Sequence, residues 1–444
     1  MRSRTAALVR HFPGIPSMKW SLLAIFSVAI LTLHPAVEAR SEASSGHGKT
    51  TPRHKARPPA SAPTSSAVPA QTRASGEAEA RLIEVYRLIG RGQTREALQA
   101  AERLVADYPD FQLAQLVYGD LLSSRMRPVT RLGDVPDTAA QAGAETLAAL
   151  REESRRRLRA LRERPPAGSI PSNFLALSPR TRHAIAIDTS RSRLYLFENR
   201  PQQGLQLVAD YYISVGKLGV DKAAEGDQRT PLGVYYITSN LDPRTLKDFY
   251  GAGALPINYP NPLDQLRGKT GSGIWLHGTP PGQYARAPLA SDGCIVLANT
   301  DLNQIIRTVE VRATPVVIAR QLHWAAPQAI RADSKSFEDT LQAWRAAKSS
   351  GDVQRVLAFY APEFRNYKRS LREWLPVLTQ ELQAARGREI ELKDLSYLRW
   401  TDSADTMVTT FGEVVAGART GPIKRQYWVR RGAQWKIFFE GVIG

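Results

Sequence analysis

Cysteine is almost absent from this chain: Cys294 is the only one in 444 residues. An internal disulfide is therefore excluded, and any thiol chemistry must run through that single side chain. Histidine is scarce too, with seven in all. One cysteine and no His/Asp/Glu cluster at ligand spacing leave no metal site to expect, and no cofactor. Acidic residues are in deficit, 42 against 60 Lys and Arg, for a formal charge of +18. That charge would suit nucleic acid, but zinc-finger spacing, a basic-aromatic RNP pattern and a helix-turn-helix signal are all missing. It equally suits an exported protein among anionic wall and outer-membrane polymers.

The N-terminal residues favour export. Met18-Lys19 precedes the apolar run Trp20 to Leu33, fourteen residues, too short for an ordinary membrane span. His34-Pro35-Ala36-Val37-Glu38-Ala39 follows, with a plausible cut after Ala39. Residues 1–39 therefore read as a secretory signal, compact enough that Met18 is a candidate start. The alternative is an uncleaved anchor, the chain's one membrane contact. Either way the body is expected in the periplasm. Residues 40–76 are Ser, Ala, Pro, Arg, Lys and Thr with few large apolar side chains, a disordered linker.

Three modules follow, so the fold class is multidomain α+β. Residues 77–165 carry helical spacing: Leu82, Val85 and Ile89, then Ala97, Ala101 and Leu104, then Phe111, Ala114, Val117 and Leu121. Two helices, a turn at Tyr108-Pro109 and a third helix resemble a tetratricopeptide unit and a half. Such a region would bind a protein partner; a plain helical cover over one side of the next module fits as well. A further helix over 138–164 ends in Arg155, Arg156, Arg157, Arg159, Arg162 and Arg164, read as a solvated face. From Arg182 the pattern turns to strands: His183 to Asp188 and Arg193 to Phe197 around a Thr189–Ser192 turn, then Gln206 to Val215, Val234 to Thr238 and Val316 to Ala319. From about Ser334 a helix with Phe337, Leu341 and Trp344 precedes strands from Ile390 to Glu440.

Cys294 lies in Ser291-Asp292-Gly293-Cys294-Ile295-Val296-Leu297, a small flexible turn entering an apolar strand. His277 ends the run Gly273-Ile274-Trp275-Leu276-His277, seventeen positions earlier. His11, His34, His47 and His54 fall in the signal or linker. Of the remaining three, only His277 shares a local unit with the cysteine. A thiol attacks as thiolate, and a neighbouring imidazole is the usual means of making one. Gly293 lets the backbone approach a substrate, and the N–H groups of Gly293 and Cys294 suit a developing oxyanion. Local chemistry leaves two readings open, a reactive thiol and a buried core cysteine.

The stretch resembles the active-site signature of the L,D-transpeptidase (YkuD-like) catalytic domain, a histidine followed by S/T-H-G-C. Thirteen residues separate His277 from Ser291, one short of the usual spacing. Ile213 to Lys217, Arg229 to Tyr235 and Tyr250 to Tyr259 resemble further segments of that domain, so the likeness covers about 180–321. It implies Cys294 as nucleophile, His277 as general base and peptidoglycan stem peptides as substrate. Asp292 stands where a second His is usual, and Val296 where Arg or Asn is usual. The resemblance makes residue 292 an auxiliary; Ser291 and Gly278 flank the pair, and Gly278 offers only backbone to orient the imidazole. Residues 334–444 resemble an NTF2-like cone. The combination resembles the cell-shape-determining L,D-carboxypeptidases. The implied activity is an L,D-transpeptidase that releases D-Ala from tetrapeptides and passes the acyl group to an amine. The alternatives are a carboxypeptidase passing it to water, and a silent wall-binding scaffold.

Overall fold

The computed structural model describes residues 76–443 apart from 136–140, 142, 386, 402 and 403. The signal and nearly all of the linker expected from the sequence lie outside them. Among the described residues, no helix is long and apolar enough to cross a membrane. The architecture is α+β, as the residue pattern predicts.

Four helices lead the described chain: α1 (Glu77–Gly90), α2 (Thr94–Asp107), α3 (Gln112–Ser123) and α4 (Ala144–Arg162). Ala78, Leu82 and Val85 of α1 recur at helical spacing, and all three are buried against Ala97, Ala101, Leu104 and Val117. The helices cover one side of the following module. The Arg-rich helix departs from expectation. It begins at Ala144, and Arg157 is only 2% exposed. A buried guanidinium needs partners, and Arg157 has Glu79 at 3.0 Å and Glu153 at 2.7 Å.

The middle module begins with β1 (Ile170–Pro171), β2 (Phe174–Ala176), β3 (His183–Asp188), β4 (Arg193–Arg200), β5 (Gly204–Tyr212), β6 (Val215–Gly216), β7 (Gly233–Tyr236) and β8 (Ala254–Pro256). Then come α5 (Pro262–Leu266), β9 (Trp275–His277), β10 (Leu289–Ser291), β11 (Ile295–Val296), α6 (Asn299–Thr308), β12 (Pro315–Ala319) and β13 (Trp324–Ala325). The main sheet runs β5-β4-β3-β12-β7. Strand β12, between β3 and β7, is buried at every residue, which is why Pro315 to Ala319 reads as one apolar run. Two small sheets carry the chemistry-bearing stretch, β11-β9-β8 and β10-β6.

The last module comprises α7 (Pro327–Ser350), α8 (Val353–Leu357), β14 (Tyr360–Asn366), β15 (Arg369–Ser370), α9 (Leu371–Ala385), β16 (Ile390–Trp400), β17 (Thr406–Val415), β18 (Ile423–Arg431) and β19 (Gln434–Val442). Helix α7 starts seven residues before Ser334, with Pro327 at its first position and Ile330 extending the buried stripe of Phe337, Leu341 and Trp344. The sheet runs β15-β14-β19-β18-β17-β16-β2. Strand β2, at the start of the middle module, thus pairs with β16 of the last one, Phe174 opposite Leu398. Inside the cone the sequence suggests no charged pair, yet Lys348 and Lys424 are buried there. Glu413 lies 2.6 Å from Lys348, and Glu381 2.6 Å from Lys424.

The helical region is fastened to the middle module by charge. Arg193 of β4 grips Glu79 of α1 with two hydrogen bonds, 2.6 and 2.9 Å, both residues almost fully buried. Burial alone would raise the Glu79 carboxyl, but Arg193 and Arg157 hold it below its ordinary value. Truncating one partner of such a pair strands the other charge without water. Glu79→Ala is therefore expected to lower stability by about 3–5 kcal/mol in urea unfolding followed by circular dichroism. A loss below about 1 kcal/mol would mean that apolar contacts alone dock the helices.

Candidate active site

Strands β9 and β11 run parallel, with Ile295 opposite Leu276 and Val296 opposite His277. Carried back one residue, the same register sets Cys294 opposite Trp275, whose N–H is directed at the sulfur. Residues two apart on a strand share a face, so Trp275 and His277 project together. The Tyr250 ring touches both, 4.9 Å from Trp275 and 5.1 Å from His277. The structure thus brings the predicted cysteine and histidine to neighbouring strands of one small sheet.

The turn before the cysteine is closely determined. Gly293 has φ +123°, and a Cβ there would lie 2.7 Å from the Arg229 carbonyl oxygen. Only glycine suits that backbone. Thr230 Oγ donates to the Gly293 carbonyl at 2.8 Å and accepts from Gly216 N–H at 2.9 Å. Two segments singled out in the sequence, around Gly216 and Thr230, therefore converge on the cysteine turn. Ser291 Oγ donates to the Cys294 carbonyl at 2.6 Å and accepts from Gly293 N–H at 3.1 Å. That last bond corrects the two-donor oxyanion expectation. The Gly293 N–H is already spent on Ser291, so the Cys294 N–H is the remaining candidate of the two.

His277 is 1% exposed, and its Nδ1 lies 2.7 Å from the Gly278 carbonyl oxygen. A carbonyl only accepts, so the proton sits on Nδ1 and Nε2 keeps its lone pair. Orientation through the backbone of Gly278 is what its missing side chain requires. A Cβ there would meet Asn299 Oδ1 at 2.0 Å. Asn299 accepts from Ala252 N–H at 2.8 Å and donates to the Thr279 carbonyl at 2.8 Å, clamping the backbone after the histidine. Asp292 is exposed on the rim, its carboxylate 2.9 Å from Lys217 Nζ.

Electrostatically the pair rests neutral. Burial pushes the imidazole down to about 4; the Gly278 carbonyl opposes this and the nearby Arg286 adds to it. Burial pushes the Cys294 thiol up, against the Trp275 N–H and Arg286, with Asp292 also raising it. At rest the thiol donates to the Gly273 carbonyl at 3.5 Å.

Arg286 is the residue that sequence reasoning missed. Its guanidinium lies 4.4 Å from the centre of the Phe249 ring, which is itself 5.8 Å from the His277 ring. It is the only basic residue between His277 and Cys294. That was the available signal, in a stretch where Val296 stands in place of the usual Arg or Asn. Away from this site, a cleft of about 830 Å³ separates the middle and last modules. Tyr236, Lys393, Thr410, Arg419 and Arg425 line it, and neither Cys294 nor His277 does.

Residues 182–318 match the model of the L,D-transpeptidase catalytic domain, the YkuD family, and residues 336–441 that of the Cds6 C-terminal NTF2-like domain. Among solved structures, Bd1075 of Bdellovibrio bacteriovorus is 24% identical over 61% of this chain and 97% of its own, with a TM-score of 0.52. The helical cell shape determining protein Pgp2 of Campylobacter jejuni is 21% identical over 65% of this chain and 98% of its own, with a TM-score of 0.47. No curated protein matches. The chain therefore carries a domain similar to peptidoglycan-modifying L,D-transpeptidases, followed by an NTF2-like domain.

A neutral resting thiol makes a measurable prediction. Alkylation of Cys294 by iodoacetamide should keep accelerating above about pH 9, the ordinary thiol value. A plateau near neutrality would instead report a resting thiolate–imidazolium pair.

Proposed function

We propose that this protein is a peptidoglycan L,D-transpeptidase working in the periplasm through a Cys294 thioester. The observation that supports this reading is the β9–β11 ladder, which brings the backbone of Cys294 to the strand that carries His277, whose Nδ1–H donates to the Gly278 carbonyl and leaves Nε2 as the basic nitrogen. His277 Nε2 takes the thiol proton as Sγ attacks the carbonyl of the bond preceding the terminal D-Ala of a tetrapeptide stem. The Cys294 N–H faces the oxyanion. Collapse breaks the C–N bond, and His277 returns the proton to the departing D-Ala amine. An acceptor amine then attacks the thioester carbon and gives its proton to His277; the C–S bond breaks, and His277 passes that proton to the departing thiolate. With water in that place the same steps make a carboxypeptidase, trimming tetrapeptide to tripeptide in the service of cell shape.

Incubation of the protein with disaccharide-tetrapeptide, read by mass spectrometry, tests this. A cross-linked dimer or exchanged D-amino acid is the expected product; tripeptide alone would select the carboxypeptidase. Cys294→Ala should lower turnover by on the order of 10³-fold or more. His277→Ala should cost about 10²–10⁴-fold. The neutrality of the resting pair is the one observation that favours a silent wall-binding scaffold. Unchanged tetrapeptide in the presence of both amine and water would select that reading.

Asp292 is proposed to tune the acceptor step, because its Lys217-paired carboxylate stands at the rim where an acceptor would enter. Asp292→Ala should shift the ratio of cross-linked to trimmed product while donor cleavage persists. An unchanged ratio and rate would remove Asp292 from the mechanism.

A further inference from the structure

The loop between His277 and Cys294 is gripped by the helical region at two points. Tyr284 stacks on Phe111, ring centres 4.3 Å apart, and meets Tyr108 edge-on at 5.6 Å. The Tyr284 N–H also donates to the Asp110 carbonyl at 3.2 Å. This loop tyrosine therefore packs into the core of the helices rather than into its own module. The second point runs through Arg157 of α4. Its guanidinium lies 4.0 Å from the Tyr212 ring centre and 5.2 Å from that of Phe111. Tyr212 in turn donates its hydroxyl to the Arg286 carbonyl at 2.8 Å. The two gripped residues, Tyr284 and Arg286, stand two positions apart.

We propose that the helical region is a positioning clamp for the active site: by holding Tyr284 and Tyr212 it fixes the Arg286 guanidinium beside Cys294 and His277, where it receives a carboxylate of the acyl donor. This rests on the acyl-transfer reading for the identity of the donor, a carboxylate-bearing stem peptide. The clamp itself rests on the contacts alone. A freely moving arginine would spread its charge over many rotamers; a fixed one presents a cation at one place. Phe249 supplies the floor, its ring under the guanidinium and beside the imidazole. The helices thereby reach the reacting residues without supplying a side chain to them.

The test uses the full-length protein and two small alkylating probes of equal reach, anionic iodoacetate and neutral iodoacetamide. The ratio of their rates at Cys294 reports a cation held beside the sulfur, and it needs no turnover. Arg286→Ala should lower that ratio by about threefold to tenfold, and Arg286→Lys should restore part of it. Tyr284→Ala, and the isosteric Tyr212→Phe that removes a single hydroxyl, should each lower the ratio toward that of Arg286→Ala. Added to Arg286→Ala, neither should change it further, because both act through Arg286. An unchanged ratio in Arg286→Ala would overturn the proposal. So would an unchanged ratio in Tyr212→Phe and Tyr284→Ala, or equal losses that persist without Arg286. Tetrapeptide left intact while the ratios behave as expected would overturn the acyl-transfer reading and leave the clamp standing. Tetrapeptide consumed with flat ratios would do the reverse.

Discussion

One carboxylate, that of Glu79, must be paired for the helices to lie where they do. It is buried between two guanidiniums, Arg193 of the middle module and Arg157 of α4. A charge removed from water is tolerated only when opposite charge and hydrogen bonds replace the solvent. Any displacement of α1 from β4 would break the two hydrogen bonds between Arg193 and Glu79, leaving Glu79 to Arg157 and Arg193 to Asp210. Arg157 links this pair to Glu153 below and to the Tyr212 and Phe111 rings beside it. The ionic fastening and the aromatic grip on the loop between His277 and Cys294 therefore share a side chain. The cluster also contains Asp301, where burial and the neighbouring Glu79 carboxylate push the acid up to about 7.

The site itself follows a different logic. Its backbone is over-determined, with Thr230, Ser291 and Asn299 each making two bonds or more to the turns around Cys294 and His277. Its charges, by contrast, are held back. The same burial that fixes the imidazole withdraws the water that would stabilise imidazolium and thiolate. Arg286 favours the thiolate and disfavours the imidazolium, and so biases the pair toward negative charge at sulfur. The charge at the sulfur thus answers to a cation on a loop as well as to burial.

Much of this was legible in the residues. Cys294 and His277 stood out through scarcity and shared locality, and the segments at Gly216, Thr230 and Tyr250 prove to surround them. The strands around Val316 and Arg193 were readable from their apolar runs. What escaped reading was whatever depends on distant partners. Arg157 looks like its exposed neighbours Arg155 and Arg159 until Glu79 is seen against it. Pro376 lies within helix α9 and disguises it, because proline ordinarily ends a helix. The start of α7 was missed because its first turns bury little besides Ile330. Arg286 carried only a weak signal, since its relation to the sulfur passes through Phe249 and Tyr212, far away in sequence.

Strand β2 lends the molecule a mechanical character. The chain enters the middle module through β1 and β2 and leaves it through β13, and β1 and β13 are zipped together, Ile170 to Ala325. Because β2 is also the edge strand of the last module's sheet, that module is attached at both ends of the middle one. A body on a single tether swivels; a body on two adjacent, hydrogen-bonded tethers does not. Tension applied to the C-terminal module would load the β16–β2 ladder and the β13–β1 pair together, as a bracket is loaded. Excising the last module at residue 334 would strip β2 of its partner strand and leave the backbone of Phe174 to Ala176 without its ladder.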